Sequence, residues 1–236
     1  VNRLLATILL DFRLQFRNGF YYASLFVAVV LIIMLRRLPP VDWARWWPAI
    51  LLENLIVNGF YFMAGLVLLE KAEGTLEAQV VAPLRSREYL AAKVVTLALL
   101  SWLEASLIVV AITGFAFNWL LLAVALLFLI AIYALYGFFV IVRYDSISEF
   151  ILPSVLWTLG FSVPLLYLFD LWPSWLVFLH PLQGPVLLMR AAFERIPPWQ
   201  VGFALVYTSL WVWIAYIFSR RAFHRFVIAT PGQRYR

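Results

Sequence analysis

The sequence predicts an all-α, polytopic membrane protein with six transmembrane helices, and three observations carry that prediction. Of its 236 residues, 65% are hydrophobic and only 13% are charged, whereas soluble domains average about 45–50% apolar and about 25% charged residues. Six apolar runs approach the roughly 20 residues a helix needs to cross about 30 Å of hydrocarbon. Each run is bounded by arginine, glutamate, proline or a tryptophan cluster, the residues that anchor helix ends at the interface. Only a surface that faces lipid lets so much apolar side chain point outward as well as inward.

The six predicted spans are Phe20–Leu35, Pro48–Leu69, Val94–Thr113, Trp119–Val142, Phe150–Phe169 and Trp199–Phe218. They form a single transmembrane domain over 1–236. The first run follows a charged stretch, lacks a small-residue cleavage site and is one of several such runs, so a cleaved signal peptide does not fit. Ahead of it, Leu4, Leu5, Ile8, Leu9, Phe12 and Phe16 recur at helical spacing beside Arg3, Asp11, Arg13 and Arg17. That pattern predicts an interfacial helix over 1–19, its arginines among lipid phosphates. The competing reading is an overlong first span, which would place Arg13 and Arg17 in hydrocarbon at a high cost.

Between the first two spans, Pro39, Pro40, Trp43, Trp46 and Trp47 mark a short outer loop. Between the last two, residues 170–198 are apolar but broken by Pro173, Pro181, Gly184, Pro185, Pro197 and Pro198. Such a segment is too interrupted to span, and a pair of short re-entrant helices in the outer leaflet is expected, with their backbone buried against protein. With six spans both termini share one side. That side carries Arg3, Arg13, Arg17, Lys71, Arg85, Arg87, Lys93, Arg143 and the basic tail over 219–236, against Arg36, Arg37, Arg45, Arg190 and Arg195 opposite. The bias places both termini in the cytoplasm of a cell membrane. It also accounts for the net charge of +6 without a nucleic-acid partner. The tail fits attraction to anionic lipid headgroups.

The most polar internal stretch is 70–93. Gly74 gives the chain a point at which to turn off the second span. Two helical turns can follow from Thr75, with Leu76 and Val80 on one side and Glu73 and Glu77 a turn apart. Pro83 ends them, and Ser86 can cap the third span with Glu88 in its first turn. A short stiff helix joined to two spans suits mechanical coupling to a cytoplasmic partner. An ordinary solvated loop fits the same residues.

The pattern Glu73-Gly74-Thr75-Leu76-Glu77, then Pro83-Leu84-Arg85, then Tyr89-Leu90 and Lys93 resembles the signature of ABC-2 type transporter permeases. It is closest in appearance to the small fluoroquinolone or multidrug export permeases. The resemblance extends over most of the chain. It implies a permease that dimerises with a second copy or a paralogue, each copy meeting a separate ATP-binding subunit that holds ATP and Mg. It assigns Glu73, Gly74, Thr75, Glu77, Pro83, Leu84, Arg85 and Tyr89 to ATPase coupling, and residues 170–198 to the outer lid of the path. The cargo expected is a hydrophobic or amphipathic drug or lipid, because the predicted interior carries few charges; the resemblance itself does not fix it.

Polar residues inside the spans are the other candidates. Glu53, Asn54 and Asn58 lie in the outer half of the second span, and Glu104 with Ser101 near the middle of the third. A charge in hydrocarbon must face protein, water or a partner chain, or carry a proton. These residues can line a transport path or a dimer seam, or Glu104 can be a neutral packing residue. His180, beside Pro181, can be a proton-sensitive hinge, although a lone histidine is more often a cap or interface residue.

Cysteine is absent, which excludes disulfides and thiolate chemistry. No Gly-rich loop ending in Gly-Lys-Ser/Thr occurs, so the isolated chain is not expected to be an enzyme or to bind a cofactor of its own. Neither His-Glu-x-x-His nor Gly-x-Ser-x-Gly is found. A non-transporting structural or regulatory membrane subunit is the remaining alternative.

Overall fold

The computed structural model describes residues 3–76 and 85–228. Glu77, Pro83 and Leu84 of the expected coupling segment, and the end of the basic tail, lie outside the described residues. Helix α1 covers Arg3–Arg17 and α2 Phe20–Leu35, with a bend of 61° between them at Gly19. A 30-residue helical span, Trp43–Ala72, follows. It is built of α3 (Trp43–Ile56), a π-helical turn (Val57–Tyr61) and α4 (Phe62–Ala72). Helix α5 is Ser86–Thr113, α6 Trp119–Ile141, α7 Ile147–Thr158, α8 Val163–Leu168, α9 Gln183–Phe193 and α10 Pro198–Phe223.

The protein is thus an all-α, polytopic membrane protein. Five helices are long and apolar enough to cross a bilayer, and a sixth crossing is available where α1 and α2 count as one bent span. Helix α6 is the central post, with 72% of its most apolar stretch buried against α5, α9, α10 and the π-helical turn. By contrast, the span Ile147–Leu168 is 22% buried and the last span 11%. In a bilayer such faces meet lipid or another chain, because water would make them costly.

Local chemistry sets the helix ends. The Asn118 side chain accepts from the Leu121 N–H at 3.0 Å and starts α6, as an N-cap residue does. At the far end of α6, Lys71 Nζ donates to the carbonyls of Val142 (2.8 Å) and Tyr144 (2.6 Å). A cation there satisfies carbonyls that have no partner in their own helix and opposes the negative end of the dipole.

The fifth span is broken by a 3₁₀ turn at Leu159–Ser162, just before Pro164. Proline supplies no N–H to the Gly160 carbonyl four residues back, and Val163 N–H turns to Gly160 instead.

Two expectations are corrected here. The cap of α5 is Arg85 rather than Ser86: the Arg85 N–H donates to Glu88 Oε2 at 3.0 Å, because the Glu88 side chain reaches back one full turn. Asp11 is no surface charge: it and Gln15, one turn on, are buried, whereas Arg13 and Arg17 stay exposed. Residues 170–198 hold two short helical pieces before the last span. They fold as a short 3₁₀ turn at Trp175–Leu179 and then α9, which packs between α3, α6 and α10.

Candidate functional site

Two buried polar centres are built along one face of α5, about three turns apart. The first surrounds Lys93, whose ammonium donates to Asp11 Oδ1 at 2.9 Å and to Glu70 Oε1 at 2.6 Å. It also lies 4.8 Å from the centre of the Tyr89 ring. The Tyr89 hydroxyl donates to the other Glu70 oxygen at 2.6 Å. Lys93 is fully buried, and Glu70 and Tyr89 nearly so. One turn further on, Gln15 Nε2 donates to Thr96 Oγ1 at 2.7 Å. These bonds join α1, the end of α4 and the start of α5. Ionised groups survive burial only when paired and hydrogen-bonded, and here one cation meets two carboxylates, one of which also accepts from a hydroxyl.

The same centre frames the segment 77–84. On its N-terminal side Gly74 adopts φ +67°, a left-handed conformation that favours glycine. Thr75 Oγ1 donates to the Glu70 carbonyl at 3.2 Å, and Arg17 pairs with Glu73 at 3.3 Å. On its C-terminal side stand Arg85, exposed, and Tyr89, buried.

The second centre is Glu104, midway along α5 and 5% exposed. Asn54 Nδ2 donates to its Oε1 at 2.8 Å, and the Ser24 hydroxyl and Asn58 Nδ2 donate to its Oε2. Asn58 belongs to the π-helical turn, a device frequent at functional sites. Gly59 makes room for the turn, since a Cβ there would lie 2.5 Å from Tyr133 Cβ. The Tyr133 hydroxyl donates to the Leu52 carbonyl at 3.1 Å. On the outer flank, between α2 and α5, a cleft of about 280 Å³ descends to Ser24 and Glu104. Its walls are Phe16, Tyr21, Tyr22, Leu25, Leu103 and Leu107.

Of the intramembrane candidates, Asn54, Asn58 and Glu104 therefore form one cluster. Ser101 stays outside it, because its hydroxyl donates to its own helix at the Leu97 carbonyl, 2.7 Å away. Glu53 is exposed on another face, where Ser162 donates to it at 2.6 Å across the break in the fifth span. His180 precedes α9, and its Nδ1 accepts from the Leu182 N–H two residues on, at 3.2 Å. Burial lowers its imidazole from 6.5 to about 4, against the opposing effect of a hydrogen bond with the Gly160 backbone. Among the described residues no cluster of three His, Asp or Glu side chains is placed to hold a metal ion.

Residues 2–231 match the model of the fluoroquinolones export permease protein family. The chain belongs to this family. It is 30% identical over 235 residues to Fluoroquinolones export permease protein Rv2687c of Mycobacterium tuberculosis (strain ATCC 25618 / H37Rv), covering 98% of this chain and 99% of that protein. The same identity and coverage hold for Fluoroquinolones export permease protein MT2761 of the strain CDC 1551 / Oshkosh. The protein is therefore an ABC-2 type permease of an efflux family, with curated relatives in a prokaryote.

For this permease, sequence reasoning missed the partners more than the centres. Ser24 is the one hydroxyl side chain of the first predicted span apart from its terminal tyrosines, and that isolation was its signal. Asp11 lies one turn before Gln15 on the charged edge of an amphipathic helix, a place where a solvated residue is the ordinary outcome. Glu70 stands at the end of a span, where an interfacial position is equally ordinary.

Proposed function

We propose that this permease is the membrane-spanning subunit of an ATP-driven exporter that moves a hydrophobic or amphipathic substrate outward. A separate ATP-binding subunit holds ATP and Mg, and a second copy or a paralogue completes the path. The observation that supports this reading is the anchoring of segment 70–93 at both ends. Glu70 and Tyr89 bond to each other, Lys93 bonds to Glu70 and Asp11, and Glu73 pairs with Arg17. A push on residues between these anchors moves two spans and α1 together.

In this reading Glu73, Gly74, Thr75, Glu77, Pro83, Leu84 and Arg85 meet or shape the contact with the ATPase. Tyr89, only 1% exposed, transmits the force from within. Glu53, Asn54, Asn58 and Glu104 belong to the path or to the seam between permease chains. ATP binding and hydrolysis then bias the inward-open against the outward-open packing, a shift between two populations. The location is the cell membrane of a prokaryote, with both termini in the cytoplasm.

The test is co-purification with candidate ATP-binding subunits and stimulation of their ATPase, comparing wild type with a Glu73→Ala/Arg85→Ala double variant. Loss of stimulation without loss of folded permease is the expected result. Equal stimulation by both proteins sinks the coupling role. Because the chain has no cysteine, single cysteines at Thr75 and Asp42 report topology directly. Thr75→Cys should resist, and Asp42→Cys should react with, a membrane-impermeant thiol reagent added to intact cells.

A further inference from the structure

We infer that the cleft between α2 and α5 is a lateral binding site for a lipophilic organic cation, with Glu104 as its charge-recognising group. The inference rests on the export reading above and names the chemical class of ligand.

Glu104 is 5% exposed, and among the described residues its hydrogen-bond donors, Ser24, Asn54 and Asn58, are all neutral. A carboxylate in a low-dielectric setting needs a countercharge or a proton. Three donors leave unused acceptor capacity on a group with about four lone-pair sites. The cleft leads to that group from the outside, with Ser24 and Glu104 at its floor. Its volume of about 280 Å³ is near the ~300 Å³ lower end of small-ligand pockets.

The walls suit an apolar body. Leu25, Leu103 and Leu107 are half exposed on the outer flank, as is Tyr22 at the mouth, so the entrance faces lipid rather than the bundle interior. Tyr21 and Tyr22 stand beside the 61° bend between α1 and α2. The tyrosine faces can receive a cation on its way in. An amine with an apolar tail partitions into the bilayer with its charge near the headgroups. From there it can enter at the bend and carry its ammonium down to Glu104. Charge complementarity selects this occupant: a neutral lipid chain would bring the buried carboxylate no countercharge.

The probe is dansyl-hexylamine, protonated at neutral pH, against its uncharged N-acetyl derivative. Binding is measured by fluorescence to purified permease in nanodiscs, without any ATP-binding subunit. The amine should bind at least tenfold more tightly than the N-acetyl compound. Glu104→Gln should remove that preference, and Glu104→Asp should keep part of it. Should Glu104→Gln fail to fold, Leu103→Trp obstructs the cleft without altering the carboxylate, and amine binding should fall about tenfold.

Equal affinity for both probes overturns the site, as a lipid chain filling the cleft would produce. So does conversion of a dimer to a monomer by Leu103→Trp, which would mark the flank as a contact between copies. Charge-selective binding with no ATP-driven transport by any assembled complex keeps the site and removes the export reading. Transport without charge-selective binding does the reverse.

Discussion

Lys93 Nζ lies 2.6 Å from Glu70 Oε1, and neither side chain reaches solvent. The last turn of the span ending at Ala72 is thereby bonded to the second turn of the helix starting at Ser86. Asp11 adds α1 to the same ammonium at 2.9 Å. Whatever happens between residues 76 and 85 happens on a joint that holds three helices.

Removing the cation should open that joint. Lys93→Met leaves two carboxylates buried without their partner, and breaking a buried ion pair from one side costs about 3–5 kcal/mol. Thermal unfolding of the purified permease should show this loss. Arg17→Ala, which removes an exposed pair with Glu73, should cost no more than about 1 kcal/mol. If Lys93→Met and Arg17→Ala are equally mild, the buried centre is not what holds these helices.

The π-helical turn depends on a missing side chain. Gly59→Ala places a Cβ 2.5 Å from Tyr133 Cβ, and overpacking of this kind costs about 1–3 kcal/mol. Tyr133→Gly, which removes that Cβ, should relieve the clash, so the double variant should lose less than the sum of the two single losses. Strict additivity in unfolding measurements would mean that the two residues do not meet.

Acid should weaken the outer region through His180. Its folded value of about 4 lies below the ordinary 6.5, so the folded protein binds fewer protons than the unfolded chain between those values. Stability is therefore fully present above about pH 6.5 and falls as pH drops towards 4. Allowing for partial exposure, the loss is about 2 kcal/mol. His180→Gln should flatten the decline over that window. A slope unchanged by the substitution would assign the acid sensitivity elsewhere.

A last prediction concerns the end of α6. Lys71→Met withdraws the donors from the Val142 and Tyr144 carbonyls. Leaving such acceptors unserved costs about 1–3 kcal/mol. Hydrogen exchange should accelerate at the last turn of α6 and leave its middle unchanged. Uniform acceleration along the helix would point to global loss instead.

Much of the architecture was legible without coordinates. Helix α2 has the bounds Phe20–Leu35 that its apolar run predicts, and α6 starts at Trp119, as predicted, directly after the capping residue Asn118. Bounds such as these follow from local chemistry. The second span is longer than predicted because the tryptophans ahead of Pro48 are helical from Trp43; Pro48 lies inside this helix and supplies no N–H to the Ala44 carbonyl.

The site was legible only as a set of costly residues. Asn54, Asn58 and Glu104 were candidates because polar groups in hydrocarbon demand a reason. Spacing along one helix puts Ser101 on the face of Glu104, but the partners of Glu104 come from α2 and from the preceding span. Lys93 was legible as part of a family signature, but nothing local ties it to Asp11, 82 residues away.

By itself, the sequence determined that the chain lives in a membrane, how its apolar length divides into spans, and which polar residues lie where water cannot serve them. Those properties are sums over neighbours along the chain, set by the thickness of hydrocarbon and the cost of charge within it. Tertiary structure alone decided which of those polar groups satisfy one another, that α1 turns its acidic edge inward, and that Glu104 lies at the foot of an open cleft. Such pairings depend on how separate helices rotate and pack, and local sequence does not specify that.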